Sequence, residues 1–293
     1  MELRVLRYFL AVAREQNITA AANSLHISQP TLSRQLMDLE AEFGKALMIR
    51  GNRKITLTSD GQLLRKRAKE LIALADKTEA EMTYSDTEIG GDIYIGGGEG
   101  EAFRAVARLA RRIRADYPNI GYHLVSGDAD DLRERLDKGL LDFGVFVEPA
   151  DITKYEFIRL PAAERWGLVM RKDSPLAGKK LIRPEELWEL PLIISRQTTY
   201  DKTIQKWLKR DLQQLNIAAT YNLYYNAGLM AEEGLGYVIG INSLANTSES
   251  SKLCFVPLDM DYEIHFDLVW KKYQSFSRAA ELFLSRAQES FEL

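Results

Sequence analysis

Apolar positions near the start of the chain recur at helical spacing. Leu3, Leu6, Leu10 and Ala13 outline one amphipathic helix. The run TAAANSL predicts a short second helix capped by Thr19, and its alanines at 20–22 leave room for a neighbouring helix to come close. A third begins at Ser28 within SLHISQPTLSRQLMDLE. Leu32, Leu36 and Leu39 form its inner face, and Pro30 is tolerated because first-turn N–H groups have no intrahelical partner. In MIRGNRKITLTSDG, the Gly51-Asn52 turn separates two short β-type runs, so residues 48–58 read as a hairpin. From Ser59 to about Asp86 the pattern is one long helix, on the order of 40 Å at about 1.5 Å per residue. Its Leu64, Ala68, Leu71, Ala75, Thr78 and Met82 alternate four and three residues apart, a narrow seam suited to pairing with a second copy of itself. Packing onto its own domain is the competing explanation.

From GGDIYIGGGEGEAF onward, strands alternate with helices. DIYIGG, IGYHLVSG and LDFGVFV are strand-like, separated by helical runs from Phe103 to Tyr117 and from Asp131 to Gly139. The alternation continues through RWGLVMRK, LPLIISR, DKTIQKWLKRDLQQL, ATYNLYY, AGLMAEEGLG and YVIGI. It ends with the strand HFDLVWKK and the amphipathic helix SFSRAAELFLSRAQESF. This order predicts a parallel sheet with helices on its faces, so the fold class is an α domain followed by an α/β domain.

The 293 residues, 46% hydrophobic and 28% charged, suffice for two or three domains. Apolar runs such as LPLII fall far short of the roughly 20 residues a membrane helix needs, and charges interrupt the N-terminal MELRVLRYFLAVAREQ, unlike a secretory signal. The single cysteine, Cys254, excludes an internal disulfide and a cysteine-rich metal site, and reads as a buried thiol. A cytoplasmic protein without a membrane partner is the expectation. The charge is unevenly spread: residues 1–69 hold twelve Lys and Arg against six Asp and Glu, a balance of +6 in a chain whose net charge is −3. A basic first quarter on an acidic remainder suggests a module that meets polyanions, with chance clustering a non-negligible alternative on charge alone.

Two short helices joined by a tight turn, with a polar first turn on the second, match a helix-turn-helix. A recognition helix enters the major groove N-terminus first, which explains why bulky apolar groups are missing there. Gln29 offers a bidentate amide to adenine, and Arg34 forks onto guanine or phosphate. Ser28, Thr31 and Ser33 suit phosphates near the positive end of the helix, and Pro30 suits a thymine methyl. Arg50, Arg53 and Lys54 surround the hairpin, where a wing meets the minor groove or backbone.

The stretch LRYFLAVAREQNITAAANSLHISQPTLSRQLMDLEAEFGKALMIR, followed by ITLTSDGQLL, resembles the N-terminal domain of LysR-type transcriptional regulators. More loosely, VMRKDSPLAGKKLIRPEELWELPLIIS and GLMAEEGLGYVIGI resemble that family's effector-binding domain, which is similar to periplasmic binding proteins. The resemblance implies a winged helix-turn-helix over residues 1–58, a linker dimerisation helix over 59–88 and an effector-binding domain over 89–293. That domain would comprise two α/β subdomains, about 90–164 plus 267–293 and about 165–266, joined by crossing strands near 161–166 and 264–269. It further implies a homodimer or homotetramer on double-stranded DNA, a small-molecule effector and contact with RNA polymerase.

Ligands of open α/β sheets sit beyond the carboxyl ends of parallel strands. That rule nominates Gly98 and Glu99, Ser126 and Gly127, and Val147 with Glu148 and Pro149. From the second subdomain it nominates Ser195, Arg196, Gln197, Thr198 and Asn226. Arg196 is the obvious clamp for a carboxylate. Many family members place Ser or Thr in the first loop, suited to an acidic effector, whereas this chain has GGGEGE. Glu99 and Glu101 favour an amine-bearing or neutral effector over an anion, unless both merely cap a helix. The same loop fails the dinucleotide fingerprint at Glu101, and no phosphate-binding G-x-x-x-x-G-K-[ST] exists. His26, His123 and His265 stand without a nucleophile or metal-ligand cluster at mechanistic spacing, so neither an enzyme, a metal nor a cofactor is expected. The alternative to a regulator is a small-molecule sensing module whose helical N-terminus serves only oligomerisation.

Overall fold

The computed structural model describes residues 1–51, 54–83, 89–148, 152–199 and 202–291. It divides into two compact units, Met1–Thr83 and Tyr84–Leu293. Among the described residues no helix is long and apolar enough to cross a membrane.

The first unit begins with α1 (Leu3–Glu15), α2 (Ile18–Ser24) and α3 (Gln29–Phe43). Asn17 rather than Thr19 caps α2: its side chain accepts the Ala20 N–H at 2.9 Å, which places Thr19 inside the first turn. Ser28 caps α3, accepting the Thr31 N–H at 3.3 Å. Between them His26 turns the chain at φ 55°, a left-handed conformation that costs a β-carbon-bearing residue about 1–2 kcal/mol. Val5, Phe9, Val12, Ala21, Leu32 and Leu36 close a core behind this turn. A hairpin follows, β1 (Met48–Arg50) antiparallel to β2 (Ile55–Leu57), and then the 25-residue α4 (Ser59–Thr83). Thr58 starts α4 by accepting the Gly61 N–H at 3.0 Å while its hydroxyl donates to the Ala46 carbonyl.

The expected seam on α4 divides in two. Leu64 packs into the unit's own core and Ala68 is fully buried, because α1 lies along this part of the helix and ties it further down through Arg7 and Asp76 at 2.5 Å. Ala75 is half-buried, whereas Leu71, Thr78 and Met82 stay exposed, Met82 at 78%. Residues 84–88, the end of the expected helix, lie outside the described residues.

The second unit is one mixed sheet rather than an all-parallel one. Its strands are β3 (Gly91–Gly97), β4 (Ile120–Ser126), β5 (Phe143–Val147), β6 (Tyr155–Arg171), β7 (Leu192–Ser195), β8 (Ile217–Tyr221), β9 (Tyr237–Ile241), β10 (Leu253–Pro257) and β11 (Glu263–Lys271). They lie in the order β4-β3-β5-β11-β6-β9-β7-β8, with β10 also on β6. β3 runs parallel to β4 and β5, and β7 to β8 and β9, as the alternating pattern predicts. The antiparallel pairs all involve β6 or β11. Five helices pack around the sheet: α5 (Phe103–Asp116), α6 (Ala129–Asp137), α7 (Lys202–Leu208), α8 (Tyr224–Glu232) and α9 (Arg278–Phe291).

β6 belongs to both halves of the unit. Residues up to Arg165 pair with β11, and those from Trp166 onward pair with β9 and β10. The return crossing falls at 258–262, upstream of the expected 264–269. Leu258 and Asp259 still bond to Trp166 and Ile182 of the second half, while Glu263 already pairs with Arg165. Two further elements are shorter than their patterns suggest. Asn222 accepts the Leu223 N–H and ends β8, so LYYN begins a helix instead of extending a strand. Lys209, at φ 56°, stops α7.

Arg159 on β6 holds Glu148 and Asp267 together, the latter at 3.1 Å. Burial pushes the Asp267 carboxyl above the usual carboxylate range, against the pull of Arg159. The native state therefore holds this proton more tightly than the unfolded chain, and the associated stability fades as pH rises through the folded value. We predict that the stability of the wild type relative to Asp267→Asn falls as pH is raised from about 4, the unfolded carboxylate value. Parallel pH-stability curves for the two proteins would refute this.

Candidate nucleic-acid interface and ligand cleft

α3 presents a polar, outward first turn on a buried apolar back. Ser28, Gln29, Pro30, Thr31 and Arg34 are exposed and Ser33 is half-buried, while Leu32, Leu36 and Leu39 face the core. Among the described residues Arg34 makes no ion pair or hydrogen bond, so its fork is available to a partner. Ser28 and Thr31 share a hydroxyl hydrogen bond of 2.7 Å, which aligns both with the helix start. Arg50 is steered by Glu40 at 3.8 Å, Lys54 is exposed on the turn, and Arg53 lies outside the described residues. Two features escaped the sequence reading. Met37 extends the outer face one turn beyond Arg34, being 54% exposed. Arg65, Lys66 and Lys69 line a depression beside β2 with Gln16 and Thr56, a position foreshadowed only by the charge run RKRAK.

In the second unit a cleft of about 600 Å³, part of it open to solvent, separates the two halves. Of the nominated residues, Gly98, Glu99, Gly127, Val147, Ser195 and Gln197 line it. The others do not. Ser126 is exposed outside the lining, one pleat away from Gly127. Glu148 is engaged by Arg159, and Pro149 lies outside the described residues. Arg196 is exposed on the 3₁₀ turn after β7 and is not among the residues that line the cleft. Thr198 is buried behind that turn with its hydroxyl unpartnered. Asn226 is exposed on α8, because β8 ends earlier than its pattern suggested, and Asn222 takes its place in the wall. Trp166, Phe146, Tyr221, Tyr224 and Ile241 also line it, as does Asp128, and were not nominated; strand-end counting overlooks side chains from a crossing strand and a helix start.

Two glutamates join the halves across this cleft. Glu99, after β3, accepts the Tyr224 N–H in the first turn of α8, where the helix carries its positive end. Glu164, on β6 at the crossing and 3% exposed, accepts the Glu101 N–H at 3.1 Å, the Ser243 N–H at 3.2 Å and the Ser243 hydroxyl. No basic side chain among the described residues pairs with it, so these donors alone compensate its burial. Burial pushes the Tyr224 hydroxyl up to about 12, with Glu232 and Glu99 adding to the rise. Among the described residues no group of three or more His, Cys, Asp or Glu is placed to hold a metal.

Comparison with known proteins finds a match for each of the two units. The family described as bacterial regulatory helix-turn-helix protein, lysR family, matches residues 3–62, and the LysR substrate binding domain matches residues 87–292. The HTH-type transcriptional regulator BudR of Raoultella terrigena is 26% identical over 97% of this chain and 99% of its own. BsdA of Bacillus subtilis (strain 168), an HTH-type transcriptional regulator, is 29% identical over 74% of each chain. Full-length CbnR in complex with its target DNA shares the fold with a TM-score of 0.77 at 21% identity, covering 99% of this chain and 100% of that one. HinK, a LysR family regulator from Pseudomonas aeruginosa, aligns with a TM-score of 0.57 at 24% identity, covering 100% and 99%. The chain belongs to the LysR family of DNA-binding transcriptional regulators.

Proposed function

We propose that the chain binds duplex DNA as a homo-oligomer in the cytoplasm, reading bases through the first turn of α3, and that a small molecule in the cleft of the second unit sets its effect on transcription. The carrying observation is the exposed Arg34, without an ion pair among the described residues, beside Gln29 and Pro30 on a helix whose opposite face is buried. Two such helices related by a two-fold axis meet successive major grooves about 34 Å apart. The exposed Leu71 and Met82 on α4 supply apolar surface for that pairing. A ligand acts only by favouring one arrangement of the two halves over another, so the bridges made by Glu99 and Glu164 are the contacts it has to work with or against. Contact with RNA polymerase belongs to the same reading and is tested by transcription from the bound promoter in vitro.

Titration of duplex from the chain's own upstream region tests the reading. Affinity falls steeply with salt as phosphate contacts release counterions. Arg34→Ala weakens specific binding by about 1–3 kcal/mol, whereas Lys54→Ala weakens all sequences alike and lowers the salt slope by about 1. Binding that ignores salt and both substitutions would favour a sensing module whose helices serve only assembly. Separately, Leu71→Glu with Met82→Glu is expected to shift the protein towards monomer in sedimentation, since each charge lands on the exposed stripe of α4.

A further inference from the structure

Resting on the reading of the cleft as the ligand site, we propose that it takes a small amine cation without a carboxylate, with Glu99 as the counter-charge. Charge comes first. The formal charges on the walls are Glu99 and Asp128, and the described lining contains no Lys, Arg or His. Asp128 is already committed to α6, accepting the Asp131 N–H at 3.1 Å. An anion entering here would lose its water, meet like charge and find no basic partner.

Occupancy comes second. A carboxylate effector would seek the N–H groups and positive end of α8, the α-helix start that the described residues of the second half contribute to the cleft wall. That place is taken by the chain's own Glu99, whose Oε2 accepts the Tyr224 N–H. A tethered carboxylate acts at an effective concentration of roughly millimolar or more, so a free one competes poorly. The other oxygen of Glu99 has no partner among the described residues and is open to an ammonium group.

The remaining walls complete the specification. Trp166, Tyr221 and Tyr224 offer aromatic faces, which attract a cation while covering an apolar body. Trp166 is 8% exposed, so its ring packs largely into the wall.

A matched pair of probes separates the possibilities: 2-amino-1-phenylethanol and mandelate share a ring and a hydroxyl and differ in ammonium against carboxylate. With the full-length protein, the amine is expected to raise the melting temperature saturably and mandelate to leave it unchanged. Glu99→Gln keeps an oxygen for the Tyr224 N–H but gives up its charge at the positive end of α8, so each ligand shift is read against that variant's own unliganded midpoint. It removes the charge and weakens the amine about tenfold, the equivalent of about 1.4 kcal/mol. Arg196→Ala should alter neither response. Stabilisation by mandelate, an amine response unchanged in Glu99→Gln, or no response to either probe would each overturn the amine assignment. Salt-dependent DNA binding that persists in those cases leaves the regulator reading standing, so the two failures are distinguishable.

Discussion

Gly61→Ala is expected to cost the first unit about 3 kcal/mol, the upper end of the range for forcing an extra methyl into a packed site. A β-carbon at this position would lie 2.0 Å from the Leu47 carbonyl oxygen and 3.0 Å from its carbon. Neither side is free to yield. The Leu47 oxygen accepts the Thr58 N–H at 3.1 Å, and Gly61 is fixed by its own N–H to the Thr58 hydroxyl at 3.0 Å. The methyl would therefore prise α4 from the hairpin and disturb the surface that holds α3. For a unit of this size each kcal/mol moves the midpoint by about 4–8 °C, so the first calorimetric transition should fall by more than about 10 °C while the second is unmoved. Gly44→Ala is the control. It sits at φ +63° with nothing within 4 Å of the added carbon, and should cost only about 1 kcal/mol of backbone strain. Equal losses for the two variants would show that crowding against Leu47 is not the cause.

Glu164→Leu is expected to destabilise the second unit by about 3 kcal/mol. The substitution removes the acceptor of two backbone N–H groups and a hydroxyl at a site where water has little access, and each stranded donor costs about 1–3 kcal/mol before water or relaxation recovers part of it. In a unit of this size that is a fall of roughly 6–12 °C in the second transition. Glu164→Gln should lie between the two, because its amide oxygen still accepts while its NH₂ meets a donor. The loss carries a functional signature as well. Ser243 follows β9 in the second half and Glu101 follows β3 in the first, so unfastening them loosens the cleft walls against one another. Ligand-induced stabilisation should therefore shrink more than the unliganded midpoint alone predicts. A Glu164→Leu protein that melts with the wild type would mean that the buried carboxylate contributes nothing net.

Much of the architecture was legible because it depends on period. The three helices, the hairpin, the long α4 and the alternation of the second unit each repeat a pattern over many residues, and an error of one position does little harm. The outward residues of α3 were legible for a similar reason: a helix with one apolar face fixes which side chains point away from it. The cleft was read less well because it depends on single positions. Ser126 and Gly127 differ by one pleat, and only the second lines the cavity. Asn226 was displaced by a turn that Asn222 introduces through one hydrogen bond. Arg196 was nominated for its chemistry, but a 3₁₀ turn after β7 carries it away from the walls. Gly61 was quoted within a motif without a role, since nothing in the sequence announces how near the Leu47 backbone lies. The α4 seam mixed two jobs that share a spacing: the early positions serve the unit's own core, and the later ones remain uncovered.

The chain's path through the second unit bears on its genetics. The last strand and helix return to the half built first, where Phe283 packs against Phe143 and Ala279, Ala280 and Ala287 are buried. A premature stop before α9 therefore exposes the centre of the lobe that was translated earliest, while the lobe encoded between the two crossings keeps all its own strands. Late nonsense alleles should therefore unfold the lobe encoded first in the second unit, and trimming this protein from its C-terminus is a poor route to a smaller stable chain.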